Sequence, residues 1–274
     1  LIVVTGPKRS GTSMWMQILT AAGFPAIGEA FPRDWETRLK DANPRGFYES
    51  TLRRGINFET NPDPKTGFYL HPLETEDHVV KVFMSALPRT EHAFLGRVII
   101  TVRDWREYAQ SMARLDALQH GDEAVHPEAA FEAAIEWWVA VSAGIRDVLL
   151  RRYPCHLTSY ASVVQNPAHI RETLQWIGQP CDVDAAVAAV DPSLYRSEAQ
   201  KAPPQLDPAS VEVFDELYHR IHVGKRLNPG FVQRLNRTHQ RLLPVAQELF
   251  RRASLRRMAR RSAATQAAPA GAPG

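Results

Sequence analysis

Residues 6–13 read Gly-Pro-Lys-Arg-Ser-Gly-Thr-Ser and follow the apolar, β-branched run Ile2–Thr5. A glycine loop between strand and helix turns backbone N–H groups outward, and the helix N-terminus adds partial positive charge. Such a loop takes a phosphate-like anion. Lys8 and Arg9 bring side-chain cations to it, and Ser10, Thr12 and Ser13 flank Gly11 with hydroxyls. An ATP-type loop, GxxxxGK[ST], carries Lys before its last hydroxyl. Thr12 stands there in this chain. A further cation stands at a strand end in RVIITVRDWREYAQSM, residues 97–112. An apolar strand ends in Arg103, whose guanidinium can grip a phosphate with two parallel donors. Ser111, eight residues on, supplies a hydroxyl from the next helix.

Both contacts need strands to carry them. Ile2–Thr5, His78–Phe83, Arg97–Val102 and Cys155–Tyr160 read as strands. Helical patterns follow each loop: Met14 to Ala22, stopped by Gly23 and Pro25; Asp104 to about Leu118; 127–152; and Pro167 to Ile177, closed by Gly178. Asp104 and Glu107 have capping-box spacing, which favours a helix cap over a magnesium-binding acid for Asp104. Strands alternating with helices predict a mostly parallel sheet. Residues 25–75, rich in Pro, Gly and aromatics, read as loops and short helices around a site.

The loop and strand signatures together resemble the sulfotransferases that use 3′-phosphoadenosine 5′-phosphosulfate (PAPS). In that family a basic residue directly precedes Ser/Thr-Gly-Thr/Ser-Thr/Ser in the loop for the 5′-phosphosulfate. Here that residue is Arg9, before Ser10-Gly11-Thr12-Ser13, with Lys8 one position earlier. Arg103 and Ser111 match the family's 3′-phosphate segment. HVVKVFMSALPRTE resembles the stretch in which a strand-borne Lys precedes Leu-Pro, matched by Lys81 and Leu87-Pro88. The resemblance implies that Lys81 lies near the sulfuryl group. Tyr160 matches a nucleotide-contacting Tyr, although Ala161 and Ser162 replace the acids that usually follow it. The adenine-stacking Trp of cytosolic members aligns with Met14, not Trp15, and is not carried over. The Arg-Lys-Gly motif has only Gly224-Lys225-Arg226 as a distant counterpart. The resemblance covers roughly residues 1–180.

Asn43-Pro-Arg-Gly-Phe-Tyr-Glu49 looks like an acceptor-side motif of bacterial-type members, which makes Glu49 the first candidate for general base. Glu29 is second and His71 third. The resemblance implies an α/β fold with a P-loop-type parallel sheet flanked by helices in three layers. It further implies PAPS as donor, no metal, and in-line transfer to a hydroxyl of a carbohydrate, lipid or small-molecule acceptor. Arg9, Lys81 and Glu49 would be the catalytic groups. Phe31, Trp35, Phe47, Tyr48, Phe68 and Tyr69 suit a carbohydrate or aromatic acceptor, or equally loop packing. Trp137-Trp138 reads as core or interface. Two rival readings stay open: a P-loop small-molecule kinase, and a nucleotide- or polyanion-binding protein without turnover.

The chain has 274 residues and net charge +3, with 44% hydrophobic and 23% charged residues. That suits a soluble globular protein, read as a domain over 1–250 and a basic, low-complexity tail over 251–274. The tail holds six Arg and no acid; taking them from the 33 Lys and Arg leaves 27 basic against 30 acidic residues. The body is therefore slightly acidic, which argues against a broad nucleic-acid face. The tail is a candidate contact for anionic surfaces. No run reaches the ~18–20 apolar residues of a membrane span, and the opening LIVVTG has no signal-peptide pattern. Cys155 and Cys181 are too few for a zinc site and read as reduced thiols in a cytoplasmic setting.

Overall fold

The computed structural model describes residues 1–32, 37, 40, 43–120, 128–195, 198–199 and 201–267. Five strands, β1 (Ile2–Thr5), β2 (Ala26–Ile27), β3 (Val79–Lys81), β4 (Arg97–Val102) and β5 (Cys155–Ser159), form one sheet in the order β2-β3-β1-β4-β5. Every pairing is parallel. The two-residue β2 carries too little pattern to be read from sequence. β3 is shorter than the apolar run around it, because the chain turns into a 3-10 segment at Met84.

Alternation along the strands divides the core in two. Ile2, Val4, Val79 and Ile99 face α1 (Thr12–Ala21), α5 (Ala168–Ile177) and α6 (Val183–Ala188). Val3, Val80, Val98, Ile100 and Val102 face α2 (Trp105–His120), α3 (Ala129–Arg151), α7 (Pro208–His222) and α8 (Pro229–Ala267). This is a three-layer α/β/α fold. A short helix, α4 (Tyr160–Gln165), follows β5 directly. Trp137 and Trp138 are fully buried, and Trp138 stacks on Phe214 at 4.6 Å and 6°. The pair is core rather than a binding platform.

One expectation is corrected here. Asp104 caps α2, accepting from the Arg106 N–H at 2.8 Å and the Glu107 N–H at 3.4 Å. Glu107 does not close the expected capping box. Its carboxylate turns instead to Tyr195 Oη at 2.5 Å and to Arg103. Residue 250, after which the basic tail begins, lies within a helix. α8 runs unbroken through it to Ala267, and Arg256 pairs with Glu132 of α3 at 2.6 Å. The Arg-rich stretch is thus a helical continuation leaning on the body. Residues 268–274 lie outside the described residues.

The chain leaves β1 toward β2 and β3 on one side, and leaves β4 toward β5 on the other. The crevice above the carboxyl ends of β1 and β4 is therefore the topological switch point, where open parallel sheets hold their ligands.

Candidate functional site

The loop over 6–13 sits at that switch point. Gly6 packs so closely on β4 that a Cβ there would lie 2.2 Å from the Thr101 carbonyl oxygen. Ser10 holds the loop in place. Its hydroxyl, fully buried, donates to the Pro7 carbonyl at 2.5 Å and the Thr101 carbonyl at 3.0 Å, and Thr101 Oγ1 donates back to the Ser10 carbonyl at 2.9 Å. The Ser10 side chain is thus spent on the loop. Gly11 is left-handed at φ 94°, and a Cβ on it would strike Tyr160 at 2.5 Å. Helix α1 begins directly after it, with no side-chain cap and no acid in its first turn. The uncompensated N–H groups of that turn open onto a cavity of about 810 Å³.

That cavity gathers nearly every residue the sequence singled out. Lys8, Arg9, Gly11, Thr12, Ser13, Glu49, Lys81, Arg103, Ser111 and Tyr160 all line it. Two cationic groups stand out. In the first, Arg9 Nε donates to Ser111 Oγ at 3.2 Å, and the Arg103 guanidinium lies flat over the Tyr160 ring at 4.0 Å. Arg103 is buried, and its Nε has no hydrogen-bond acceptor. The nearest carboxylate oxygen, on Glu107, is 3.6 Å away, an ion pair too long for a hydrogen bond. Burial, and then the charge of Arg103, lower the Arg9 pKa to about 10. Two guanidinium groups held this close, one of them with an unpaired Nε, can act as a receptor for an anion.

The second group is centred on Lys81, at the end of β3. Its ammonium donates to Ser13 Oγ at 3.1 Å, to the Phe47 carbonyl, and to Glu49 Oε1 at 2.8 Å. Arg53 holds the other oxygen of Glu49 at 3.1 Å. Both Lys81 and Glu49 are buried. Desolvation lowers the Lys81 pKa, while Glu49 pulls it up. Glu49 reaches the site because its backbone pairs with Glu29 in a single antiparallel bridge.

Several expectations change in position. The Arg9 side chain turns toward Ser111 and Arg103, so the loop end facing Lys81 is served by backbone N–H groups and Ser13. Lys8 points outward to Glu136 at 3.0 Å and is half exposed. Of the three candidate bases, Glu49 lines the cavity, whereas Glu29 and His71 are exposed and do not. Phe47 lines it too, but Phe31, Tyr48, Phe68 and Tyr69 do not. Trp35 lies outside the described residues. Met14 lines the cavity while Trp15 is fully buried. Gly224-Lys225-Arg226 lies away from it, closing the end of α7 through the Lys225 N–H and the Arg220 carbonyl at 2.7 Å.

Sequence reasoning missed Arg45, Arg53, Arg114 and Glu107. Arg53 and Glu107 were open to it by spacing, since each is four residues from its ionic partner, Glu49 and Arg103. Arg45 and Arg114 had no such signal. Both cysteines are free, and burial pushes the Cys155 thiol up to about 12, which leaves it unreactive at neutral pH. Among the described residues, no cluster of His, Cys, Asp and Glu has the makings of a metal site, and no helix is long and apolar enough to cross a membrane.

Fold and site together define a parallel α/β protein with an uncapped helix N-terminus and two cationic groups at its switch point. No family model matches this chain, and no curated protein matches it.

Proposed function

We propose that this protein transfers a sulfuryl group from PAPS to a hydroxyl acceptor. The observation that carries the reading is the buried Arg103 Nε. It lacks an acceptor and stands beside the Arg9–Ser111 hydrogen bond, in the same cavity as Lys81 and the α1 N-terminus. A donor with phosphate groups at both ends of an adenosine needs two such cradles. Arg103, Arg9 and Ser111 would take the 3′-phosphate. The N–H groups of Gly11 to Ser13 and Lys81 would take the phosphosulfate. Tyr160, already under Arg103, would border the nucleotide.

In the transfer, the acceptor oxygen forms a bond to sulfur as the bond from sulfur to the bridging phosphate oxygen breaks. The acceptor proton passes to the Glu49 carboxylate, and the products are a sulfate ester and adenosine 3′,5′-bisphosphate. Charge gathers on the leaving phosphate, where fixed N–H donors and a cation act most strongly. Lys81 and Arg53 hold the two oxygens of Glu49. An arriving anion competes for Lys81 with Ser13, the Phe47 carbonyl and Glu49, which together take its three donors. As Lys81 turns to it, one Glu49 oxygen is released to meet the acceptor hydroxyl.

The kinase reading has less support, because Thr12 occupies the Lys position of an ATP loop and Asp104 is spent on capping α2. Titration calorimetry with adenosine 3′,5′-bisphosphate, ADP and Mg-ATP tests the donor, and PAPS-dependent formation of the bisphosphate tests turnover. The bisphosphate should bind tightest. Preference for Mg-ATP would overturn the proposal in favour of a kinase. Bisphosphate binding with no transfer to any acceptor would leave a binding protein.

A further inference from the structure

The cavity is not cationic throughout. Phe83, Met112, Leu115 and Leu118 also line it, with Arg114 and Asp116 of α2 beside them. Ser111, Leu115 and Leu118 follow i, i+4, i+7 spacing on α2, so the helix that offers its hydroxyl to the cationic end continues as an apolar ridge. Leu118 is 51% exposed and Met112 only partly buried, so the ridge is open rather than sealed into the core. Phe83 joins it to the acid–base centre. The Arg53 guanidinium lies 5.7 Å from the centre of the Phe83 ring while holding Glu49.

Two of the polar side chains that line the cavity, Gln17 and Asn43, are committed to each other and to the backbone. Gln17 Nε2 donates to Asn43 Oδ1 at 3.2 Å and to the Gly46 carbonyl at 3.1 Å, and Asn43 Nδ2 donates to the same carbonyl. Phe47, the one loop aromatic of the expected acceptor set that lines the cavity, is buried and packed edge-on against Phe31 at 6.3 Å. It offers no open ring face for a sugar to stack on.

From this juxtaposition we infer that the acceptor is a hydrocarbon alcohol: its hydroxyl meets Glu49 and its apolar body lies on Phe83, Met112, Leu115 and Leu118. This rests on the sulfuryl-transfer reading for the fate of the hydroxyl, as an alkyl sulfate ester, but the binding surface is tested without it. Burying the body of the alcohol on this ridge supplies affinity by the hydrophobic effect.

The test is titration calorimetry with 1-octanol and with N-acetylglucosamine, with and without adenosine 3′,5′-bisphosphate, on the wild type, Leu115→Asn and Leu118→Gln. Octanol should bind saturably and the sugar should not. Each variant should weaken octanol about tenfold, with bisphosphate affinity unchanged. Leu118 is exposed enough that its substitution does not threaten folding, which keeps the test decisive if Leu115→Asn is unstable. Sugar binding without octanol binding, or equal octanol binding by all three proteins, overturns the inference. Loss of bisphosphate binding alone strikes the donor reading instead, and the octanol arm is then judged by itself.

Discussion

Arg9 Nε donates to Ser111 Oγ across 3.2 Å, joining the loop after β1 to the helix after β4 over 102 positions of sequence. The two anion contacts are therefore one continuous surface. The parallel pairing of β1 with β4, Thr5 opposite Ile100, points both strand ends the same way, with β4 running two residues further to Val102. The pair also gives the cluster a hierarchy: Ser111 orients Arg9, whereas Arg103, stacked on Tyr160 with its Nε unpaired, has the larger share of any ligand contact.

Arg103→Ala should weaken adenosine 3′,5′-bisphosphate by about 10- to 100-fold, the worth of charge-assisted hydrogen bonds at ~1.5–3 kcal/mol. Ser111→Ala should cost less, about tenfold, since it removes a neutral hydroxyl whose one bond to a charged group is worth roughly 1.5 kcal/mol. Calorimetric titration of both variants checks the order. Equal losses would mean that Arg9 orientation matters as much as Arg103 itself.

Gly11→Ala should abolish binding and lower the melting temperature. The backbone there is left-handed, which costs a residue with a Cβ about 1–3 kcal/mol, and the new methyl would meet Tyr160 at 2.5 Å. Either the ring moves from beneath Arg103 or the loop opens. A thermal melt paired with a bisphosphate titration reads both effects.

Glu49→Gln should slow turnover by about 10²–10⁴-fold, the usual worth of a general base, with bisphosphate affinity nearly unchanged. The substitution also strips buried Lys81 of its carboxylate partner, a loss of up to about 3–5 kcal/mol in stability. Activity is therefore compared at a temperature where circular dichroism shows the variant folded. Full activity there would remove Glu49 from the reaction.

Bisphosphate affinity should stay level from pH 7.5 to 9 and fall above about pH 10. The ligand is already fully ionised over that range. Arg9, lowered to about 10 by burial and by Arg103, is the guanidinium that loses its proton first. The sign follows from charge: the anion binds the protonated form, so affinity is complete below the folded pKa and lost as pH rises through it. A titration series across this range, repeated with Arg9→Ala, checks the assignment. The variant should bind weakly and lose the share of the fall that Arg9 causes; what remains belongs to Lys81, whose pKa burial also lowers.

Most of the scaffold and much of the site were legible in the linear chain, for local reasons. Ile2–Thr5 and Arg97–Val102 are short β-branched runs that bury both faces, and the glycine loop and Asp104 mark where each helix begins. Gly11 could be read because only a residue without a Cβ tolerates its backbone. Arg9, Arg103 and Ser111 could be read because their spacing from a strand end is set by the strand itself. The partner of Glu107, the use of Ser10 to hold the loop, and the exclusion of Glu29 and His71 were not legible. Each depends on which distant side chain a given atom meets. Arg53 stands between the two cases. Its i+4 offset from Glu49 was visible, but the contact with Phe83 arises only when β3 brings that ring alongside.

Sequence alone determined where anion-binding groups occur and which strands and helices carry them, because those choices rest on backbone freedom, alternation and helical period within a few residues. Tertiary structure decided what the groups do together. Parallel pairing of β1 with β3 and β4 laid three strand ends side by side, and the resulting burial turned Arg9, Arg103, Lys81 and Glu49 from solvated charges into mutually dependent ones. Burial and proximity are properties of the packed sheet, and no stretch of chain shorter than the fold contains them.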